Sequence, residues 1–299
     1  DNSQYHSADS SVRLTNTTIQ DEWDISLMQN SLDFVQGKRY HLSYWAKASS
    51  ALTVRSQIIK DISPWNESIG LWVLDSVGTE WTKIDRHFIA SYSTDIGRLE
   101  FQIGHQIGTV WIDDVSLEEV QCDPDSGSVL SDGNFDRGMD CWEEEDHYGG
   151  TVGTFTADSS TFYTALPSIN IQVKNIVQWQ EVQLTQRQVV IQGNHRYKAG
   201  FWAKAVSSRD VVVNLGLADP PYTDLGLSKR QTIDTEWQYY ELVFTSTAGT
   251  TNAKFGFGLG DSTISVWFDD VILKDLGVNP CGDGLCLQTQ SEDCSICSL

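Results

Sequence analysis

The sequence predicts an all-β protein made of two tandem antiparallel β-sandwich (jelly-roll) modules and a small disulfide-rich tail. Three observations lead to this fold class. The chain of 299 residues contains an internal repeat, and the repeated segments alternate between apolar and polar residues with a period of two. No long segment carries the 3.6-residue apolar stripe of a helix.

The internal repeat rests on three segments that recur in the same order. Residues 37–48 return as 193–205, Glu80-Trp81 as Glu236-Trp237, and 110–115 as 266–271. Trp45 and Trp202 are separated by 157 positions, and Trp111 and Trp267 by 156. Three ordered matches at an offset of 156 or 157 indicate a duplicated unit, and many short strands within such a unit are typical of a sandwich.

The repeated segment 197–205 shows how the strands are oriented. Tyr197 and Phe201 point to one face, whereas Lys198 and Trp202 point to the other. Such alternation predicts a strand that is half buried against a core. Further runs rich in β-branched and aromatic residues, bounded by Gly, Asp, Ser or Thr, occur at 211–217, 239–245 and 255–259.

Composition places the boundaries between the predicted parts. Residues near 121–130 combine Asp, Pro, Ser and Gly without hydrophobic periodicity, which predicts a linker. Beyond Gly277, Gly, Cys and polar residues replace the strand pattern. The predicted organisation is a first module at 1–120 whose opening strand is missing, the linker at 121–130, a second module at 131–276 and a Cys-rich tail at 277–299.

The net charge argues against some classes of binding partner. With 41 acidic against 20 basic residues, the chain has a formal charge of -21, which repels phosphate backbones and anionic lipid surfaces. No apolar stretch reaches the roughly eighteen residues that span a bilayer. We therefore expect no nucleic acid partner and no membrane insertion, whereas neutral sugars and divalent cations are compatible with this charge.

Cysteines and two sequons indicate a secreted, extracellular glycoprotein. An even number of cysteines, four of them in the tail, is most simply interpreted as disulfides. Zinc binding by the four tail thiolates is the alternative, although their spacing is not a strong zinc pattern. Any signal peptide is expected to have been removed. The predicted disulfide residues are Cys122, Cys141 (as a pair), Cys281, Cys286, Cys294 and Cys297, and the predicted glycan acceptors are Asn16 and Asn66.

An ordered set of motifs in the second copy supports a family resemblance. The motifs are 132–136, Trp142, 197–205, 236–238 and 268–271. Together they resemble the superfamily of carbohydrate-binding modules that includes families 4, 9 and 22. The first copy shares the later motifs but lacks a counterpart of the opening strand. The resemblance implies a β-sandwich whose concave sheet face takes a glycan chain, often with a structural calcium ion on a different edge.

Tryptophans are the first candidates for sugar contacts, because a pyranose ring offers apolar C–H faces and a fringe of hydroxyl groups. Alternation places Trp45 and Trp202 on the lysine-bearing face of their strand, either as sugar platforms or packed beneath a loop. Trp179 resembles the family position where a tryptophan stacks on sugar. Trp23 aligns with Trp179 only after a one-residue shift, which implies a bulge or a false match.

Acidic and amide groups complete the candidate sugar site. The resembling family often places an aromatic and an acid from the last strand in the groove, and Gln180 and Glu181 stand beside Trp179 to meet sugar hydroxyls. The predicted carbohydrate-binding residues are therefore Trp179, Gln180, Glu181, Trp202, Trp267, Asp269, Trp23, Trp45, Trp111 and Asp113.

A calcium site is expected in the second module. Alternation puts Asp114 and Asp270 on the apolar face of the last strand, where a carboxylate is costly unless a cation or hydrogen bonds satisfy it. Oxygen ligands suit Ca²⁺. We expect Asp136 and Asp270 to hold a structural calcium ion, and the counterpart of Asp136 is missing from the first module.

No sequence pattern indicates a catalytic site. The run Glu143 to Asp146 is expected to be a solvated turn, because adjacent acids on one loop rarely span a scissile glycosidic bond. The six histidines form no His-x-x-x-His pair, and neither a Gly-x-Ser-x-Gly elbow nor a phosphate-binding loop is present. We expect a protein that is not an enzyme, or the binding part of a larger secreted enzyme.

Two functions are compatible with these features. The first is non-catalytic binding of a polysaccharide or glycan by two repeated modules, with avidity for a polymer. The alternative is a structural subunit of an extracellular filament or surface fibre. An open edge left by the missing opening strand could accept a strand from a neighbouring subunit, and would thereby support self-assembly.

Overall fold

A computed structural model describes residues 1–147, 152–164 and 166–278. The chain divides into a first module, Asp1–Gln121, and a second module that begins at Cys122. Both consist of antiparallel β-sheets, which confirms the predicted fold class. The helical segments in these ranges are 3₁₀ turns of three residues, too short to cross a bilayer. The tail cysteines Cys281, Cys286, Cys294 and Cys297 lie outside the described residues.

The first module packs two four-stranded sheets against each other. Its strands are β1 (Val12–Asn16), β2 (Ser26–Phe34), β3 (Arg39–Ala48), β4 (Leu52–Lys60), β5 (Ser68–Val77), β6 (Thr82–Ile89), β7 (Thr94–Gln102) and β8 (Gly108–Val120). The front sheet has the order β2-β7-β4-β5 and the back sheet the order β1-β8-β3-β6. A 3₁₀ turn at Glu22–Asp24 precedes β2.

The second module repeats this plan with one additional strand in each sheet. Its strands are β9 (Glu143–Asp146), β10 (Gly153–Asp158), β11 (Ser168–Val173), β12 (Val182–Ile191), β13 (His195–Ala205), β14 (Arg209–Leu217), β15 (Asp224–Ile233), β16 (Gln238–Thr245), β17 (Thr250–Gly258) and β18 (Val266–Val278). The front sheet is β9-β12-β17-β14-β15, and the back sheet is β10-β11-β18-β13-β16. A 3₁₀ turn at Trp179–Glu181 precedes β12.

Alternate residues of the facing sheets form the core of each module. In the first module, Leu42 and Tyr44 of β3 pack in one cluster with Val54 and Ile58 of β4. The residues between them therefore point outward, because side chains in a strand alternate between its two faces. The outer faces of the front and back sheets are thus separate surfaces of the same module.

The segment predicted as a linker, 121–130, packs onto the second module from Cys122 onward. The predicted disulfide between Cys122 and Cys141 is present, with the Cα atoms 5.6 Å apart. The Val129 amide donates to the Leu273 carbonyl of β18 at 2.8 Å. These contacts fix the segment that leads into the second module.

Candidate functional site

One cross-strand row of side chains crosses the outer face of the front sheet in the first module. Met28, Glu100, Gln57 and Trp72 are paired in register across β2, β7, β4 and β5. Ile58, the next residue along β4, belongs to the core, so the row points away from the core. The apolar side chain of Met28 and the indole of Trp72 thus flank the polar side chains of Glu100 and Gln57.

The polar centre of this row is buried and only partly satisfied. Glu100 is 2% exposed and Gln57 is 3% exposed. Gln57 Nε2 and Arg98 Nη2 donate to the same oxygen, Glu100 Oε2, at 3.0 and 3.1 Å. Among the described residues, Gln57 Oε1 and Arg98 Nε have no hydrogen-bond partner. Unpartnered buried polar atoms are costly, and this floor contains one unsatisfied acceptor and one unsatisfied donor below the surface.

Trp72 forms an exposed aromatic wall beside this floor. Its side chain is 47% exposed, and the guanidinium carbon of Arg55 lies 5.6 Å from the ring centroid. Arg55 is held by Glu22 through bonds of 2.7 Å (Nε to Oε2) and 3.2 Å (Nη2 to Oε1). The hydrogen bond from Arg55 holds the pKa of Glu22 below its usual range. A flat ring beside fixed polar groups is suited to stacking on a sugar.

Trp23 is not the structural counterpart of Trp179. The Gly104 amide donates to the Glu22 carbonyl, and the Gly260 amide donates to the Trp179 carbonyl. Glu22 is therefore the residue of the first module whose backbone position corresponds to that of Trp179. Trp23 is the next residue in the chain, and 62% of its surface is exposed. The one-residue shift in the sequence alignment was a false match.

Trp179 lies over the front sheet of the second module. A Cβ atom at Gly258 would lie 2.2 Å from Trp179 Cε3, so the ring covers a position where only glycine leaves room. Gln180 and Glu181 follow in the same 3₁₀ turn, and Glu181 Oε2 lies 3.2 Å from His147 Nδ1. The structure therefore brings these three predicted residues together beside β12 and β17.

An ion network centred on Glu145 lies on the same front sheet. The acidic run predicted as a solvated turn is strand β9, and it pairs with β12. Burial opposes ionisation of Glu145, but Lys254 and Arg187 hold its pKa below the usual range. Each front sheet thus has a buried carboxylate: Glu145 is bound by Lys254 and Arg187, and Glu100 by Arg98 and the Gln57 amide. The Glu145 oxygens accept from Lys254 Nζ at 2.8 Å, Arg187 Nη2 at 3.0 Å, Gln183 Nε2 at 3.2 Å and Thr185 Oγ1 at 3.2 Å.

Trp45 and Trp202 lie on the back sheets, and each is covered by a ring from its own module. The His6 and Trp45 rings stack with centroids 3.6 Å apart and planes at 12°. The Tyr163 and Trp202 rings stack at 3.5 Å and 17°. We call residues 1–7 and 158–164 the caps of the two modules. Of the two interpretations of these tryptophans, the packed position beneath a loop is the one observed.

Aspartates of the last strand hold each cap in place. The His6 amide donates to Asp113 Oδ2 at 2.8 Å, and the Tyr163 amide donates to Asp269 Oδ2 at 2.8 Å. Burial raises the pKa of Asp269, whereas the amides that it binds oppose the rise. The hydroxyl groups of the next cap residues bind the next aspartates, Ser7 to Asp114 and Thr164 to Asp270.

The last-strand tryptophans also bind the caps. Trp111 Nε1 donates to Asp1 Oδ2 at 2.8 Å, and Trp267 Nε1 donates to Asp158 Oδ2 at 2.8 Å. The structure therefore places six predicted sugar contacts on the back sheets, in partnership with their own caps and on the opposite sheet from Trp179. They are Trp45, Trp111, Asp113, Trp202, Trp267 and Asp269.

The caps carry a repeat signal of their own in the sequence. Asp1 Oδ1 accepts from the Ser3 amide at 2.9 Å, and Asp158 Oδ1 accepts from the Ser160 amide at 2.8 Å. Both Asp-x-Ser triplets lie 157 positions apart, the offset of Trp45 and Trp202. This signal could have revealed the caps, and the period of two along β5 could have placed Trp72 on the outer face.

Four aspartates line one cavity of the second module. Asp136 and Asp270, the predicted calcium ligands, share it with Asp125 and Asp132. Asp132 is buried, and its Oδ2 has no hydrogen-bond partner among the described residues. Burial raises the pKa of Asp132 to about 6; Arg137 opposes this rise, whereas Asp125 and Asp136 add to it. Clustered carboxylates with an orphaned oxygen fit a hard cation such as Ca²⁺.

The two predicted glycan acceptors have different surroundings. Asn16 is buried, and its Nδ2 donates to the carbonyls of Gly104 and Gln106 at 2.7 and 2.8 Å. Because a glycosylated Nδ2 keeps a single N–H, a glycan there would cost one of these two bonds. Asn66 is exposed.

Comparisons with known proteins place this geometry in a family. A sequence model of the carbohydrate binding domain family CBM_4_9 matches residues 1–110 and 127–263. No curated protein sequence matches the chain. Similar solved structures include the CBM22-1–CBM22-2 tandem of Xyn10C from Paenibacillus barcinonensis, at 13% identity over 92% of this chain and 89% of that chain, with a TM-score of 0.38.

Two single modules are also among the similar solved structures. One is a CBM4 structure, at 22% identity over 37% of this chain and 84% of that chain, with a TM-score of 0.34. The other is a family 16 carbohydrate binding module, at 21% identity over 48% of this chain and 98% of that chain, with a TM-score of 0.35. The family model covers most of the chain and matches once in each module. The chain belongs to the carbohydrate binding domain family.

Proposed function

We propose that the chain is a secreted, non-catalytic protein that binds a glycan polymer through the outer faces of its two front sheets. Trp72 is the stacking surface in the first module and Trp179 in the second. Family membership supports sugar binding, and the Cys122–Cys141 disulfide supports an oxidising, extracellular setting.

The observation that carries this proposal is the row of Trp72, Gln57 and Glu100 in the first module. An exposed indole offers a flat apolar surface to the C–H face of a pyranose ring. Below the ring, Gln57 Oε1 and Arg98 Nε–H are buried and have no partner among the described residues. Once a side-chain movement exposes them, the oxygen would accept from a sugar hydroxyl group and the Nε–H would donate to one. Stacking and hydroxyl recognition can therefore act on one sugar.

The two front sheets present different chemistry to a ligand. In the first module, the central amide Gln57 lies beside Glu100. In the second module, Glu145 is surrounded by Lys254 and Arg187. Because polar groups fix the orientation and identity of a bound sugar, we expect the two modules to differ in sugar preference.

The proposal is tested by titrating the intact chain with soluble β-glucans and xylans. Trp72→Ala is expected to weaken binding at the first module by about tenfold or more, equivalent to about 1.4 kcal/mol. Trp72→Phe should retain part of the affinity, because it keeps a flat ring. Val115→Ala, at an exposed back-sheet position, is the control. Unchanged binding in a variant lacking both Trp72 and Trp179 overturns the proposed surface.

We also propose that Asp132, Asp136 and Asp270 hold a structural Ca²⁺ ion in the second module, with Asp125 close by. The support is a cavity lined by these four aspartates, with Arg137 also in its wall, and the orphaned, buried oxygen of Asp132. A cation that binds the folded chain stabilises it by about 2.7 kcal/mol at one hundred times its dissociation constant. Calcium should therefore raise the melting temperature, and EDTA should remove that gain.

A matched pair of variants tests the calcium site. Asp132→Asn should abolish the calcium-dependent rise in melting temperature. Asp123→Asn, an exposed aspartate in the same segment, should retain it. A rise that persists in Asp132→Asn assigns the ion to another place and contradicts the site.

The structural role in a filament has one supporting observation. Strands β1 and β2 are edge strands of the two sheets of the first module. In the second module, the equivalent strands β11 and β12 are paired with the additional strands β10 and β9. An edge strand offers backbone hydrogen-bonding groups to an added strand. Negative-stain microscopy of native material tests this second candidate. Fibres support it, and dispersed particles that bind sugar contradict it.

A further inference from the structure

The loops at one end of the two front sheets carry matching exposed aromatic residues. Trp65 lies between β4 and β5, and Tyr222 lies between β14 and β15. They are 157 positions apart, the offset of Trp45 and Trp202, and each follows a proline. Trp65 is 52% exposed and Tyr222 is 61% exposed. Both modules thus present a large ring at this position, and neither ring is buried in a core.

The backbone at both rings is in the left-handed region. Trp65 and Tyr222 each have a φ of +53°. A bulky side chain rarely adopts this conformation, whereas glycine and asparagine adopt it at lower cost. Packing could offset that cost for a buried ring, but these two rings are more than half exposed. Strained backbone without a gain in packing is a feature of ligand-binding sites.

Backbone hydrogen bonds close the two loops in the same way. The Trp65 amide donates to the Ile62 carbonyl at 2.8 Å, and the Tyr222 amide donates to the Asp219 carbonyl at 2.9 Å. Each bond closes a four-residue turn whose last residue is the aromatic one. Because the turn already holds the backbone, the ring loses less freedom when it binds a ligand.

In the first module, an arginine connects the loop to the floor of the proposed sugar site. Arg98 Nη2 donates to Glu100 Oε2 at 3.1 Å, and Arg98 Nη1 donates to Asp61 Oδ1 at 3.1 Å. Asp61 is the first residue after β4, and Trp65 follows in the same loop. The loop is therefore fixed to one end of the sheet whose outer face carries Trp72.

The second module has the equivalent connection. Arg187 Nη2 donates to Glu145 Oε1 at 3.0 Å, and Arg187 Nη1 donates to the Ala218 carbonyl at 3.0 Å. Ala218 is the first residue after β14, and it is separated from Asp61 by the same 157 positions. Each aromatic loop is thus tied to the buried carboxylate of its own front sheet.

The surroundings of the rings suit a neutral glycan. Asp219 is 71% exposed, and its Oδ2 accepts from Asn252 Nδ2 at 2.7 Å, so its carboxylate is available to sugar hydroxyl groups. The exposed amide of Asn66 stands next to Trp65. A flat ring beside such groups suits a pyranose. The formal charge of -21 argues against an anionic lipid surface as the partner.

We propose that Trp65 and Tyr222 form a second stacking contact for the glycan in each module, reached only by a ligand that extends beyond the front-sheet face. This inference rests on the proposed function, because it concerns the same ligand. A short oligosaccharide occupies the front sheet alone, whereas a polymer is also held at the loop. The loops therefore make each module selective for longer chains.

The test uses the intact chain produced without N-glycosylation, because a glycan on Asn66 would lie next to Trp65. The double variant Trp65→Asn/Tyr222→Asn removes both rings, and asparagine tolerates the left-handed backbone. In titrations with soluble β-glucan and xylan polymers, its affinity should fall by about tenfold or more. Its affinity for trisaccharides of the same sugars should be unchanged. Its melting temperature should be unchanged or higher, because the strain is relieved.

Two control variants accompany this one. Trp65→Tyr/Tyr222→Trp exchanges the rings and should retain the polymer affinity within about twofold. Tyr5→Gln removes an exposed ring from the cap of the first module and should not change the polymer affinity. A lower melting temperature with unchanged polymer affinity in the double asparagine variant would assign a packing role to the two rings and overturn the proposal.

The remaining outcomes separate this inference from the proposed function. If the double asparagine variant binds polymer like the unaltered chain while Trp72→Ala binds it more weakly, the loop contact is overturned and the front-sheet site stands. If the unaltered chain binds none of the polymers, the proposed function fails, and this inference fails with it. Binding to phosphatidylcholine vesicles that only the double variant loses would assign the rings to a lipid surface and also overturn the loop contact.

Discussion

At the residue scale, the caps explain why repetition of a tryptophan does not identify a sugar site. Trp45 and Trp202 recur because each supports the ring of its own cap, His6 or Tyr163. A ring that stacks on one face at about 3.5 Å leaves no space there for a pyranose. What the two modules share at these tryptophans is thus packing against the cap.

The cap of the second module is expected to contribute to stability but not to sugar binding. Tyr163→Ala removes the stack on Trp202 and should lower the free energy of unfolding by about 1–2 kcal/mol. Tyr163→Phe should retain most of it, since the ring remains. Urea unfolding measures the change, and Ile176→Ala at an exposed loop position serves as control. A loss of glycan affinity in folded Tyr163→Ala, without a loss of stability, would contradict this assignment.

The raised pKa of Asp132 predicts how calcium binding depends on pH. Burial raises the pKa from 3.8 to about 6, so the ion-free folded chain keeps a proton that the unfolded chain loses. Between these two values, the stability contributed by this group falls as pH rises. Calcium must displace the proton, so its affinity should fall by up to about tenfold per pH unit below pH 6. Calorimetry from pH 7 to pH 5 measures this, and a flat profile would refute the prediction.

Residue-level prediction from the sequence had a clear limit. Alternation correctly put Trp202 and Lys198 on one face of their strand, because strand geometry has a fixed period. It could not show that Tyr163 covers that face, because the position of a loop depends on contacts distant in sequence. Trp72 was missed for a related reason: its importance depends on Gln57, its partner in the neighbouring strand.

At the element scale, a bulge in the last strand overrides alternation. The register between β13 and β18 shifts between Gly200 and Trp202, and Asp270 has a φ of +47°. A bulge redirects the side chains that follow it. Asp269 and Asp270 therefore both bind residues of the same cap, although alternation predicts opposite faces. The first module has the same bulge: the register between β3 and β8 shifts between Ser43 and Trp45, and Asp114 has a φ of +48°.

In the front sheets, the size of the residue in the 3₁₀ turn and the size of the strand residue beneath it change together. Where the second module has Trp179 over Gly258, the first has Glu22 and the larger Gln102. Gly258→Ala should place a methyl group against the Trp179 ring and destabilise the second module by about 1–3 kcal/mol. Gly78→Ala, where an added Cβ meets nothing within 4 Å, is the control.

A double-mutant cycle tests the cause of this destabilisation. Trp179→Ala removes the ring, so adding Gly258→Ala in that background should cost less than it does in the unaltered chain. Unfolding free energies of the four proteins give the coupling. Strict additivity would mean that Gly258 is required for a reason other than the indole.

At the scale of the whole molecule, the repeat predicted the plan of the chain well. Two sandwiches of similar topology follow from one duplicated pattern, because backbone pairing depends on the apolar face of each strand. The outer faces are less constrained, since solvent or ligand accepts many side chains there. The positions of Gln57 and Glu100 in one front sheet are occupied by Asn214 and Gly256 in the other, so the amide is kept and the carboxylate is lost.

Two binding faces on one chain predict different responses to short and long ligands. An oligosaccharide that fills one face should bind with a stoichiometry of two, and Trp72→Ala or Trp179→Ala should each reduce it toward one. A polymer that engages both modules gains avidity by a factor of about one hundred or more, and either single variant should remove that gain. Calorimetry with oligosaccharide and affinity electrophoresis with polymer measure the two effects. If each variant weakens polymer binding by no more than about twofold, the modules bind independently and the avidity component of the proposal fails.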